Sequence, residues 1–559
     1  MNSFQQPLKT QPMFILSLVG IYLLSAFLQS KTFIGWDISN GLIEAEKLIQ
    51  GGIYGKDFFE PSPPMFLLLY AVPVLISQWL SLKIIWIFPL FVFFLTTITL
   101  KCCYPFIGRM FNEDDIVLKQ FLLLLLAAIL MLMPIASDFG QREHLLIIFI
   151  LPYIFLMGER FQKKFVSLKK CIFIGIWAGL GFAIKPFFLI GYIMLEYAYA
   201  WRTDNLFAWW RAESIVILFW IAFIYAITLI FFPTYFTEVI PHVLPFYYAS
   251  YAEELSLLLQ LSYFIFCLLV LATFYGFFHK SSLMALQISI IGFLISFLMQ
   301  QTSWFYHLYP AYSLATLNLG MLFIIMLQDK LLWHKTKWSM FALFTCIDFF
   351  VLLKVHYFQL YIYLFVTLLI LGGIFLIFFR KLHLSQWVPA FFLAQILFLM
   401  PCLSGIGQYK TILDFYTSTS AIRNFIMENA SHKPIYFLSR HLPLEFPSIS
   451  YTTAKHVSRF SAIFWLTGYV NQRINSKTPA GWLYFENEKK YFVNAISEEL
   501  QQTKPSYVFV ELIQDSPFKI LTILQSVASF KQIWENYYYL TLLNENTLRP
   551  VAVYQLKES

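Results

Sequence analysis

The sequence predicts a polytopic α-helical membrane protein that ends in a small α/β domain outside the membrane. Three observations carry this. Of 559 residues, 59% are hydrophobic and only 13% charged, with mean hydropathy +0.67, a bias that soluble chains of this size do not show. Apolar runs recur between short polar loops as about thirteen spanning segments, several shorter than the roughly 20 residues of a full span. Beyond residue 404 the apolar runs give way to alternating stretches, KPIYFLSRHL, PSYVFVELI and RPVAVYQL, that read as strands. Residues 1–403 are therefore expected to form the membrane part and 404–559 the outer domain.

The first apolar segment, 13–30, has no small-residue cleavage site after it and reads as a retained helix. The loop at 31–64 then gathers Asp37, Glu44, Glu46, Asp57 and Glu60. From Ser39 to Gln50 its order is helical. Ile38, Leu42, Ala45 and Leu48/Ile49 share one face, which predicts an amphipathic helix lying along the interface. Gly51-Gly52 stops that helix, and Pro61-Ser62-Pro63-Pro64 forbids another until the chain returns to the membrane.

Segment 65–81 is ambiguous by length, and the positive-inside rule decides it. If it dips into the outer interface without crossing, the inner loops carry Lys101/Arg109/Lys119, Arg160/Lys163/Lys164/Lys169/Lys170, Arg202/Arg211, Lys280, Lys330/Lys335/Lys337 and Arg380/Lys381. The outer stretches 232–256 and 300–310 then hold no Lys or Arg. The other spans are expected near 84–103, 120–135, 145–157, 171–184, 187–200, 214–231, 257–278, 282–299, 311–328, 338–354, 359–379 and 388–403. In the outer domain 412–429, 487–502 and 517–531 have helical spacing.

The net charge of +8 sits in those short loops, so it reports topology and not nucleic-acid binding. All six cysteines fall in or beside apolar segments, with neither a disulfide framework nor metal-ligand spacing.

With this topology the chemistry-bearing residues emerge on the outer side, where ionisable groups at membrane depth mark a cavity or a partner. Asp37 reads either as a helix-start anchor or as a general base facing an acceptor hydroxyl. Asp138, Gln141, Arg142, Glu143 and His144 put five ionisable or amide side chains in seven positions. A helix beginning near Phe139 would pair Gln141 with His144 and Asp138 with Arg142. That cluster is either a solvated turn or a substrate site. Lys185, alone in GLGFAIKPFFLIGY, is a snorkelling lysine or a cation for phosphate. His307, among Trp304, Tyr306 and Tyr309, belongs to an aromatic belt or to a site for sugar or phosphate. Lys455, His456 and Arg459 form a solvated basic face or part of the mouth of the site. Gly175 and Gly179 form a GxxxG that suits helix packing.

An acid after the first span, an interfacial helix, the FFEPSPP approach to the next helix, an acid cluster after the third span and GLGFAIKP together resemble the GT-C superfamily of polyprenyl-phosphate-sugar glycosyltransferases. Within it the layout is most similar to bacterial protein O-mannosyltransferases and aminoarabinose transferases. The resemblance implies a GT-C fold in an inner membrane, with the active site and C-terminal domain on the periplasmic side. It also implies inverting transfer of a sugar from a polyprenyl-phosphate donor to an acceptor lipid, glycan or protein.

By the same resemblance Asp37 is the base, and Asp138 or Glu143 is the second acid. Lys185, with Arg142 and His307, would bind the donor phosphate. Glu44, Gln141, His144 and Tyr306 are the candidates for the rest of the substrate. Relatives commonly carry a second acid directly after the first; here Ile38 follows Asp37, and this bears on whether the loop holds a divalent cation. A lipid-linked sugar flippase or transporter is the competing class, but its ionisable groups would lie mid-membrane in broken helices.

Overall fold

A computed structural model describes residues 12–110, 116–134, 138–247, 281–300, 304–328, 417, 419–475, 479–512, 519–545 and 549–558. The spans expected near 257–278, 338–354, 359–379 and 388–403, and the boundary near 404, lie outside the described residues. Within them the membrane part comprises α1 (Pro12–Lys31), α2 (Trp36–Ile49), α3 (Met65–Leu80), α4 (Ile84–Met110), α5 (Ile116–Met131), α6 (Arg142–Phe161) and α7 (Leu168–Phe182). It continues with α8 (Leu189–Arg202), α9 (Ala212–Phe231), α10 (Ile240–Tyr247), α11 (Ser281–Gln300) and α12 (Tyr309–Gln328).

Among the described residues five helices, α1, α4, α6, α9 and α11, are long and apolar enough to cross a membrane. Helix α6 is apolar all round and 94% buried over its span, whereas α1 and α9 are 22% and 28% buried. A helix without a polar stripe packs at the centre of a bundle, so α6 is the axis and α1 and α9 form the rim. At 20 residues and ~1.5 Å per residue, α6 is about 30 Å long, and Arg142 and Phe161 mark opposite ends of the bundle.

At the Phe161 end, salt bridges lock the helix termini. Arg109 and Lys164 meet Glu159 at 3.2 and 3.4 Å, Arg160 and Arg211 meet Glu213 at 2.8 and 3.0 Å, and Arg211 meets Glu196 at 2.7 Å. Among the described residues, Arg109, Arg160, Lys164 and Arg211, from three of the basic loops assigned to the inner side, thus meet at one end. Helix α4 runs the full bundle, from Phe88 beside Gly140 to Arg109 on Glu159. Helix α3 does not. Tyr70, midway along α3, donates to the Gly140 carbonyl at 2.8 Å and meets the Phe88 ring at 5.1 Å. Both ends of α3 therefore stay at the Arg142 end of the bundle.

The GxxxG is a packing device. A Cβ on Gly175 would lie 2.8 Å from the Glu213 carbonyl oxygen and one on Gly179 2.9 Å from the Trp220 side chain, so α7 and α9 touch where these residues have no side chain.

The C-terminal part contains α13 (Ser420–Asn429), β1 (Pro434–Leu438), α14 (Leu442–Glu445), β2 (Lys455–His456), α15 (Phe464–Asn475) and α16 (Pro479–Thr503). After these come β3 (Tyr507–Glu511), α17 (Ile520–Leu524), α18 (Ala528–Trp534), β4 (Tyr537–Leu543) and β5 (Val551–Leu556). One sheet, ordered β2-β1-β3-β5-β4, has β1 parallel to β2 and β3, and β5 antiparallel to β3 and β4. Strands β1, β3 and β5 are the three alternating stretches of the sequence. Strand β4, YYYLTLL, escaped that reading because only Tyr537 is buried while its following three residues are exposed, so no alternation shows. The helix expected over 517–531 is two short ones, broken at Gln525-Ser526-Val527.

This C-terminal part sits on the first loop. Ser450 Oγ lies 2.5 Å from Ser39 Oγ, Lys47 donates to the Ser458 carbonyl at 2.7 Å, Ser461 donates to Glu44 at 3.1 Å, and Arg459 donates to the Gly55 carbonyl at 3.3 Å. A second contact joins α10 to α16, where His242 stacks on Tyr491 at 3.7 Å and pairs with Glu488 at 2.7 Å.

Candidate active site

Asp37 lies in the first turn of α2, whose N-cap is Gly35, with no side-chain cap bond. The acid is therefore free of capping duty, although the helix N-terminus favours its charge. Its Oδ2 accepts from Gln141 Nε2 at 2.8 Å. Asp37 is half-buried. Burial lifts its carboxyl above the usual carboxylate range, while Arg142 and the Gln141 bond pull it back down. The net result is a carboxyl that keeps its proton to higher pH than an exposed one does.

The cluster at 138–144 differs from its expected form. Helix α6 starts at Arg142, not near Phe139, and Gln141 is its N-cap, accepting from the Arg142 N–H at 3.4 Å. Gly140 makes the bend, with φ of 90°, and packs directly on Phe88. This late start points Gln141 and Arg142 at the first loop. Arg142 donates to Ser62 Oγ at 2.5 Å and to Glu60 at 3.4 Å, and its guanidinium stacks over Phe66 at 5.0 Å.

At the next residue, Lys185 Nζ lies 2.5 Å from Glu143 Oε1 and 3.4 Å from His307 Nε2, which is itself 3.7 Å from Glu143. Lys185 precedes Pro186, so α7 cannot continue and the lysine turns inward, facing the rings of Phe188 and Tyr306 at 5.7 and 5.8 Å. Tyr306 stacks on Trp304 at 5.9 Å. His307 is buried and held neutral, its protonation suppressed first by burial and then by Lys185 and Arg142.

The structure thus gathers Asp37, Gln141, Arg142, Glu143, Lys185, Tyr306 and His307. His144 stands apart. Its Nδ1 accepts from the Gly140 N–H at 2.9 Å and its Nε2 donates to the Leu130 carbonyl at 2.8 Å, so both ring nitrogens serve the backbone of the bend. Asp138 is buried beneath the same bend, its carbonyl accepting from the Gln141 N–H at 3.0 Å, with Tyr309 close by. Glu44 is buried on the far side of Glu60. In the C-terminal part, Arg459 is tied to Glu499 at 2.8 Å and His456 lies 3.4 Å from Glu445; Lys455 stays exposed.

Two participants were missed by sequence reasoning, Glu60 and Ser62, the anchors of Arg142. Their signal was a carboxylate and a hydroxyl inside the rigid FFEPSPP run. Among the described residues no three His, Cys, Asp or Glu side chains are arranged to hold a metal ion.

A helical bundle with an interfacial first loop, contacted by a C-terminal α/β part, is a fold shared with solved structures. Two solved structures of ArnT from Cupriavidus metallidurans, one bound to undecaprenyl phosphate and one in the apo state, each match this chain with TM-score 0.54 at 13% identity, covering 97% of both chains. No protein-family model matches the sequence, and no curated protein matches it either.

Proposed function

We propose that the protein transfers a sugar from a polyprenyl-phosphate donor to an acceptor hydroxyl at the outer face of the membrane, with inversion. The observation that carries this reading is the juxtaposition of Asp37, held by Gln141, with two cations, the half-buried Arg142 and the buried Lys185. The ArnT structure with undecaprenyl phosphate supports the lipid class of the donor.

Chemically, Asp37 takes the proton of the acceptor O–H as that oxygen bonds to the anomeric carbon. The bond from that carbon to the phosphate oxygen breaks, and its electron pair leaves with the polyprenyl phosphate. Lys185 and Arg142 stabilise the charge growing there. Lys185 already has a partner in Glu143, so the phosphate competes for it and leaves Glu143 to His307 or to the sugar. Gln141 fixes the direction of the Asp37 lone pair. Tyr306 and Trp304 offer faces suited to a sugar ring. One direct displacement inverts the anomeric centre.

The test is transfer from radiolabelled polyprenyl-phosphate sugars to membrane extracts by wild type and by Asp37→Asn, which keeps size and removes basicity. Loss of about 10²- to 10⁴-fold in rate, with donor binding retained, supports the base assignment. Undiminished transfer moves the role to Asp138 or Glu143. Vesicle uptake of the donor without acceptor, and no transfer, supports the flippase class.

A further inference from the structure

Glu60 and Glu44 are both buried, at 5% and 2% exposure, and their carboxyls lie within hydrogen-bonding reach of each other. They are not equivalent. Glu60 Oε1 accepts from the Ser62 N–H at 2.7 Å and from Arg142, two donors that favour its anion. Glu44 Oε1 accepts only from Ser461 at 3.1 Å, and its buried Oε2 finds no donor among the described residues. Two carboxylates in such contact cannot both ionise.

We propose that Glu44 and Glu60 hold one proton between them, carried by Glu44, and that this pair is the positioning device for Arg142. The neutral Glu44 carboxyl donates to ionised Glu60, whose remaining capacity holds the guanidinium in place beside Asp37. Arg142 stabilises the departing phosphate only while its anchor is a single, fixed anion. Ser461 of the C-terminal part holds Glu44 from behind, so that part is wired to the phosphate site through Ser461, Glu44, Glu60 and Arg142.

The surroundings agree. Burial, and then Glu60, push the Glu44 carboxyl well above the usual range. The groups facing it are Lys47 on α2, Tyr54 and Glu60 of the first loop and Ser461, with Asp57, Glu445 and Glu499 around Lys47. The buried Tyr54 hydroxyl lies close to both carboxyls. A carboxyl raised in this way keeps its proton to higher pH than an ordinary one and gives it up only as pH rises further. Glu60 and Glu44 then repel and the anchor of Arg142 loosens.

The proposal rests on the transfer reading for its activity readout, so the experiment has an arm that needs no substrate. Infrared difference spectra of the full chain in nanodiscs, wild type against E44Q, are recorded across pH. A protonated-carboxyl band present in wild type at neutral pH, titrating on the alkaline side and missing in E44Q, is the expected result. Absence of that band overturns the proposal whether or not the protein transfers sugar.

The second arm compares pH–rate profiles. Wild type is expected to lose rate on an alkaline limb, and E44Q, which keeps a neutral donor toward Glu60, to lack that limb. E44A is expected to fall at least about tenfold below E44Q at neutral pH, the loss of one hydrogen bond to a charged group. Identical profiles for wild type and E44Q show Glu44 to be structural only and overturn the proposal. If no protein form transfers sugar while the band behaves as described, the transfer reading fails and the proton-sharing pair stands.

Discussion

At the scale of single residues the site is built from partners that compensate one another, and this makes its responses directional. Gln141 lowers the proton affinity of Asp37 by donating to its anion. Gln141→Leu removes that donor, so the Asp37 pKa rises. A base acts above its pKa, and the acid limb of the pH–rate profile should shift to higher pH, with kcat down about 10- to 100-fold. Lys185→Met should lower kcat/KM by about 10²- to 10³-fold, the usual cost of losing one donor to a developing anion. It also strands the buried Glu143 carboxylate, so donor affinity and thermal stability must be measured beside the rate.

Secondary-structure elements set where these residues meet. Helix α2 carries Asp37 and α6 begins with Arg142; one is held by the C-terminal part and the other by the packing of the bundle. Glycine decides the second. Gly175→Leu would drive a side chain into the backbone of α9 at Glu213 and should destabilise by about 1 to 3 kcal/mol, read as a lowered unfolding temperature in detergent. On the C-terminal side, Glu445 of α14 is buried with neither carboxyl oxygen hydrogen-bonded among the described residues, and burial with nearby Glu511 pushes its carboxyl well above the usual range. The folded state then binds the proton more tightly than the unfolded chain does. Its stability is greatest below the ordinary carboxylate range and declines as pH rises towards the folded pKa. Glu445→Gln should flatten that decline in a series of melting curves across pH.

Over the whole molecule the two ends of the bundle have different tasks. One end holds the candidate site and the C-terminal part; the other, about 30 Å away along α6, is tied by the Arg211–Glu196 and Arg160–Glu213 pairs. Arg211→Met leaves Glu196 and part of Glu213 uncompensated in a buried setting, and should cost about 3 to 5 kcal/mol. Transfer activity per folded molecule should stay near wild type, since no group of the site touches this network. Melting and transfer assays on the same preparation check both halves.

Much of this was legible in the chain because membrane insertion is governed by composition and order. Apolar length marks the helices, loop charge separates the two ends, and alternation marks β1, β3 and β5. Each of these is a property of consecutive residues, and so is the concentration of Asp37, the 138–144 cluster, Lys185 and His307 at helix boundaries. What lay beyond it depends on contacts between residues distant in sequence. Glu60 gains meaning only from Arg142, 82 positions away, and from Glu44 behind it. His144 looked like a site residue until the bend at Gly140 and the Leu130 carbonyl were seen to use both its nitrogens. Strand β4 needed β5 beside it to be recognised as a strand. The local free energies of burial and helix formation are written along the chain, whereas hydrogen-bond partners and shared protons are settled by packing, and tertiary structure alone decided which acid faces which base.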